Sequence, residues 1–124
     1  VSALSDLAAL RPELRAAKAS DRKRVADIVI REAAEPDDSD EVIDAAVNWA
    51  VTRIREDAAS SYYELSQDVA GIAAEVARQE GWNGGRETTG NRRAFIRDYL
   101  IGRTGGYAPT DVIVKQVDAA AEAR

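Results

Sequence analysis

The chain has 124 residues, 45% of them hydrophobic and 31% charged, with a formal net charge of −5. That length supports one ordinary hydrophobic core. Cysteine, histidine and methionine are absent, which excludes disulfides, the usual zinc sites, thiol nucleophiles and every catalytic triad built on imidazole.

No stretch approaches the ~20 apolar residues of a membrane-spanning helix, and the opening residues carry no signal-peptide pattern. The expectation is a protein neither secreted nor held in a membrane. Much of the apolar content is alanine, which favours helix but brings little volume to a core. Charge is uneven along the chain. Residues 1–80 hold 10 basic and 17 acidic side chains, a balance of −7, whereas residues 81–124 hold 7 and 5, a balance of +2. This polarity disfavours coating by nucleic acid and suits head-to-tail contact between like subunits.

Leu4, Leu7, Leu10 and Leu14 recur at helical spacing. Pro12 belongs in the first turn of a new segment, because a proline deeper in a helix removes a hydrogen bond and clashes with the preceding turn. Residues 1–19 are therefore expected to form an N-terminal arm or helix broken near Leu10-Arg11, with residues 1–10 as a short arm. Ser20 is the expected cap of a second helix over 21–35, with Val25, Ile28 and Val29 on one face. The basic triplet Arg22-Lys23-Arg24 sits at the end disfavoured by the helix dipole. It reads either as a solvated turn paired with Asp21 and Asp27 or as a contact for phosphate or an acidic partner.

Pro36 ends that helix, and Asp37-Asp38-Ser39-Asp40-Glu41 follows. This acidic run lacks the glycine and distal glutamate of a calcium loop. It reads as a helix start, with Asp38 and Glu41 at capping-box spacing. Over 42–57, Ile43, Ala46, Val47, Ala50 and Ile54 form one apolar stripe, widened by Val42, Ala45 and Trp49. Residues 58–61 are either a continuation or a tight turn, and the Ser61–Glu64 spacing favours a fresh helix. Leu65, Val69, Ile72 and Val76 then repeat at helical steps as far as Glu80. Gly71 costs this helix about 1 kcal/mol relative to alanine and is a candidate mark of a close helix crossing.

Gly81 is a natural left-handed cap, and residues 81–90 form the longest loop, with Trp82 its one large apolar residue. Asn91 is the expected cap of a helix over 92–101 that turns Phe95, Ile96, Tyr99 and Leu100 inwards and stops at Gly102. A second loop, Gly105-Gly106-Tyr107-Ala108-Pro109, precedes Thr110 and a terminal helix whose inward positions are Ile113, Val117 and Ala120. The fold expected is all-α: a small helical bundle around a central long-helix hairpin, with extended N- and C-terminal segments. It is read as one domain, residues 1–124. Its parts are the arm 1–19, the core helices 20–80, the loop and short helix 81–109, and the C-terminal helix or tail 110–124.

The candidate ligand surface is Arg86, Arg92, Arg93, Arg97 and Arg103, interleaved with Trp82, Tyr99 and Tyr107. Arginines neutralise phosphates and aromatics stack on bases. Glu87, Asp98 and the acidity of the whole chain favour a protein-facing patch instead, extended onto the terminal helix by Val112, Ile113 and Val117. Residues 102–106 lack the Lys-Ser/Thr ending of a P-loop and follow no strand. No carboxylate is singled out by an apolar context, so neither enzymatic activity, a cofactor nor a metal is expected. A helix-turn-helix over 69–82 would bring Glu75 and Glu80 to phosphate. A ribbon-helix-helix antitoxin would need a basic strand that 27–31 supplies poorly. The DNA-binding alternative is thus a small helical regulator using Arg92, Arg93 and Arg97.

Asp37-Asp38-Ser39-Asp40-Glu41-Val42-Ile43-Asp44-Ala45-Ala46-Val47 resembles the acidic turn and following helix of head–tail connector (adaptor) proteins of tailed viruses. The order of parts over 36–107 is also similar: acidic turn, long helix, second helix, loop and short late helix. The 34-residue lead is longer than that pattern, and Tyr99-Leu100-Ile101-Gly102-Arg103 stands where it carries Leu-Leu/Tyr-Arg. The resemblance implies a homo-oligomeric ring subunit beneath a portal, with portal-like or tail-like protein partners and residues 110–124 reaching a neighbour. Its setting would be the virion or the cytoplasm.

Overall fold

The computed structural model describes residues 11–124. Among these the chain is all-α, a small helical bundle of six helices without a strand. The helices are α1 (Pro12–Ala16), α2 (Arg22–Ala33), α3 (Asp40–Ser66), α4 (Val69–Ala77), α5 (Thr89–Arg103) and α6 (Asp111–Glu122), with one 3-10 turn at Gly84–Arg86. The chain divides into two compact units, Val1–Ala59 and Ser60–Arg124. The division falls within the stretch 20–80 read from sequence as one set of core helices. Leu4, Leu7 and Leu10 of the expected arm lie outside the described residues.

In the N-terminal unit Pro12 opens α1, as its fixed φ and missing N–H require. Leu14 is fully buried and α1 packs against α2. The buried side of α2 is Ala26, Val29 and Ile30, whereas Ile28, expected inside, is about half exposed. Neither Ser20 nor Asp21 makes a side-chain cap at its start. The acidic turn does cap α3, by a different residue from the one expected. Ser39 Oγ accepts the Val42 N–H at 3.2 Å, while Asp38 turns back to accept the Glu35 N–H at 2.8 Å. The stripe Ile43, Ala46, Val47, Ala50 and Ile54 is buried as its spacing predicts, with Trp49 half-buried and Val42 and Ala45 exposed.

The second arm of the expected hairpin starts later than its sequence pattern suggested. Helix α3 runs unbroken through 58–61, because alanine and serine there give the backbone no competing partner strong enough to stop it. The break comes at Gln67-Asp68, and the reason is a cap. Asp68 leaves helical geometry at φ −138°, ψ 60°, and its carboxylate accepts the Gly71 N–H at 2.9 Å. A Cβ on Gly71 would lie 2.1 Å from Asp68 Oδ2. Gly71 therefore marks the room taken by a capping carboxylate, not a helix crossing.

Helix α4 stops at Ala77, short of Glu80, and the chain turns on Gly81 at φ 91°. Thr88, not Asn91, caps α5: Thr88 Oγ1 accepts the Asn91 N–H at 3.2 Å. Gly102 lies inside α5, which ends only at Arg103. The reversal after it uses Gly105 and Gly106 at φ 78° and 112°, with the Gly106 N–H returning to the Ile101 carbonyl at 2.8 Å. Residues 111–122 form a helix folded onto their own unit, not a free tail. Helix α6 packs against α4 and α5, and the core there is Tyr62, Ile72, Val76, Ile96, Leu100, Ile113, Val114 and Val117. Thr110 holds the cap position of α6 but makes no side-chain cap bond.

The shared space of Asp68 and Gly71 predicts non-additive stabilities. Asp68→Ala loses a cap worth about 1 kcal/mol. Gly71→Ala in the parent displaces the same carboxylate, cancelling its helix-propensity gain. In the Asp68→Ala background, Gly71→Ala is expected to stabilise by about 1 kcal/mol. Urea denaturation of the four proteins checks this, and simple additivity would contradict it.

Candidate functional site

The arginine-rich region is built on α5, the loop before it and the α6 face that packs against it. Arg92 opens the second turn of α5, where its long side chain reaches both the loop and α6. Its Nε lies 3.0 Å from Asp118 Oδ1 and 2.7 Å from Glu122 Oε2. Nη1 donates to the Glu87 carbonyl at 2.7 Å, and Nη2 to Thr89 Oγ1 at 3.2 Å. Only 12% of the Arg92 side chain is exposed. The Asp118 hydrogen bond leads in raising its pKa above the ordinary guanidinium value. Arg93 takes the other oxygen of Asp118 at 3.3 Å. One turn further on, Arg97 Nη2 meets Asp111 at 3.3 Å, close to the start of α6.

Arg103, at the far end of α5, faces α4. Its Nε lies 3.4 Å from Glu75 Oε2, the oxygen that also accepts the Tyr99 hydroxyl. The Tyr99 bond first, then Arg103, holds the Glu75 carboxyl below the usual carboxylate range. Burial, then the same bond, raises the Tyr99 phenol. These groups form a strap between helices. No cluster of three or more metal-ligating side chains occurs among the described residues.

The structure thus brings together most of the expected surface, but turned towards its own carboxylates. Arg92, Arg93, Arg97 and Arg103 are engaged in ion pairs, and Arg86 is exposed on the 3-10 turn. Trp82 is half-buried against Phe95, with ring centroids 5.5 Å apart. Tyr107 packs on the core, and its carbonyl accepts the Tyr62 hydroxyl at 2.6 Å. Thr104 Oγ1 accepts the Tyr107 N–H at 3.3 Å and stands within hydrogen-bond reach of the Leu100, Ile101 and Tyr107 carbonyls. Ile113 and Val117, read both as inward positions and as partner contacts, are buried in the chain's own core and do not face a partner. Val112 alone of that trio faces out, 66% exposed.

Sequence reasoning missed Asp118, at 4% exposure the centre of this arrangement. A signal was present. Asp118 stands four residues after Val114 and three before Ala121, on the buried stripe of α6. A carboxylate at such a position needs a paired cation. In the N-terminal unit, a groove of about 580 Å³ is lined by Ser20, Lys23, Arg24, Asp27, Asp44, Val47 and Asn48. Two members of the basic triplet therefore border an open surface, with Arg24 3.7 Å from Asp21, while Asp27 is held by Arg31 at 3.0 Å. No protein-family model, curated protein or solved structure matches the chain.

Two outcomes follow from this geometry. Asp118→Ala takes the nearly buried carboxylate from both Arg92, which keeps Glu122, and Arg93, and is expected to lower Tm more than Asp111→Ala, whose carboxylate is largely exposed. Calorimetry ranks them, and equal losses would contradict the assignment of Asp118 as the anchor. For Glu75, the folded pKa lies below the unfolded one. Its contribution is therefore complete above the unfolded value, near ~4.3, and is lost as pH falls through the folded value. Glu75→Gln is expected to flatten the acid limb of Tm against pH, which scanning from pH 7 to pH 3 measures.

Proposed function

We propose that the chain is a non-enzymatic, helical assembly protein that works through protein–protein contact. The observation that carries this reading is the compensation of its arginines. Arg92, Arg93, Arg97 and Arg103 lie 3.0, 3.3, 3.3 and 3.4 Å from carboxylates of the same chain. A phosphate backbone would have to compete with Asp118, Asp111 and Glu75 for them. Attraction to nucleic acid comes from cations that neutralise phosphates and release the counterions condensed there, and a guanidinium already paired with a carboxylate contributes less to it. Apolar side chains are offered to solvent in both units: Ile28 and Val42 in the first, Tyr63 and Val112 in the second. Protein surfaces are met through such groups.

Within that class, the role we propose is a head–tail connector (adaptor) ring subunit of a virion, binding portal-like or tail-like proteins and copies of itself. Support comes from the resemblance of residues 37–47 to those proteins and from the −7/+2 division of charge along the chain, which suits head-to-tail rings.

Native mass spectrometry tests both levels. A closed homo-oligomer is the expected result, alone or with a portal-like partner. A stable monomer or dimer whose DNA affinity falls steeply with salt would overturn the reading and favour the regulator. Arg93→Ala with Arg97→Ala is expected to lower thermal stability without changing any residual DNA affinity.

A further inference from the structure

The loop before α5 closes a second cavity, of about 300 Å³, lined by Gly81, Trp82, Asn83, Glu87, Asn91, Arg92, Ala94 and Phe95. Its walls are the Trp82 and Phe95 rings, tilted 54° to each other. Glycine at 81 supplies the positive φ of 91° on which the chain turns at the rim, beside Phe95. Its polar lining is Glu87 with Asn83, Asn91 and Arg92, and Glu87 is the one carboxylate among them. Asn83 Nδ2 donates to one carboxylate oxygen and Asn91 Nδ2 to the other, each at 3.0 Å.

Both donors are neutral amides. They favour the ionised carboxylate, Asn91 more than Asn83, and hold its pKa below the usual range. They do not cancel its charge. The contrast with Asp118 is direct, since that carboxylate is shared by two guanidiniums. Among the described residues Glu87 makes no ion pair, and the adjoining Arg92 is turned to Asp118, Glu122 and the Glu87 carbonyl. Each carboxylate oxygen has a second lone pair. An oriented, ionised carboxylate without an ion pair thus lines the same cup as an indole, the aromatic ring with the strongest attraction for cations.

We infer that the Trp82–Phe95–Glu87 cup is a binding site for one organic cation, the guanidinium or ammonium head of an arginine or lysine side chain of a partner polypeptide. The volume suits a single side chain and lies at the small end for a separate ligand. The chemistry of the cup stands on its own geometry. Assigning the cation to a polypeptide rests on the assembly function proposed above.

The test uses the full chain, 15N-labelled, titrated with n-butylguanidinium, n-butylammonium and neutral n-butylurea. Saturable shifts are expected at the Trp82 indole N–H and the Asn83 and Asn91 side-chain amides with the two cations and not with the urea. Glu87→Gln is expected to weaken both cations about tenfold, and Trp82→Leu, which leaves the Glu87 clasp in place, by about fivefold. Shifts that fail to saturate, that the urea reproduces, or that both variants leave unchanged would overturn the site. An Ac-Gly-Arg-Gly-NH2 peptide separates the sources. Binding at least as tight as n-butylguanidinium supports a partner side chain, whereas exclusion of the peptide overturns that assignment. An oligomer that binds no cation overturns this inference and leaves assembly standing. A monomer that binds both cation and peptide does the reverse.

Discussion

The C-terminal unit depends on one carboxylate in an apolar place. Asp118 sits among Val114, Val117 and Ala121 on α6 at 4% exposure, where an unpaired charge would cost several kcal/mol. That position draws Arg92 and Arg93 from the adjacent helix onto its two oxygens. Arg92, once held there, has donors left over and uses them on the Glu87 carbonyl and Thr89 Oγ1. The loop entering α5 is thereby fixed to the same point as the two helices. Packing alone would leave much freedom, since the core cluster has no side chain larger than tyrosine and is mostly valine, isoleucine and leucine. A nearly buried carboxylate shared by two guanidiniums, one on each oxygen, restricts that freedom and specifies how α5 meets α6.

This arrangement also reshapes the functional question. Fourteen arginines in 124 residues look like a binding surface when only sequence is read. Placed in three dimensions, those on α5 divide between α6 and α4, and their charge is answered within the chain. Set against them is a charge of opposite sign, the Glu87 carboxylate, held by neutral amides in a cup that an indole also lines. The more specific feature of a net-basic segment is thus an acidic cup.

Most of the fold was legible from periodicity, because a stripe such as Ile43, Val47, Ala50 and Ile54 has no other use than burial. The ends of helices were harder to read. Ser39, Asp68 and Thr88 are the observed caps, where the sequence pattern favoured Asp38, Ser61 and Asn91, residues of similar chemistry. Local sequence offers all of them, and tertiary contacts choose. Gly71 was misread because a glycine announces only that space is needed, not what fills it. Ile113 and Val117 were read both as inward positions and as partner contacts, and the structure keeps them inward; Asp118 was overlooked because charge was counted and not placed on its helix. The Glu87 cup had no sequence signature, since Asn83, Glu87 and Asn91 acquire their meaning only when the loop folds over the first turn of α5.

Thr104 shows how hydrogen supply shapes the turn after α5. Its hydroxyl has one proton and four acceptors in reach, the Tyr62 hydroxyl oxygen at 3.4 Å and three carbonyls, those of Leu100, Ile101 and Tyr107; the carbonyls are the nearer. Each of these carbonyls already has a dedicated donor, respectively the Thr104 N–H, the Gly106 N–H and the Tyr62 hydroxyl. The threonine proton is therefore a reserve that can rotate to whichever acceptor loses its own supply. Its oxygen has the fixed task, receiving the Tyr107 N–H. The corner is redundant in donors and economical in acceptors, so it tolerates the loss of the Tyr62 hydroxyl better than replacement of Thr104 by an isosteric valine.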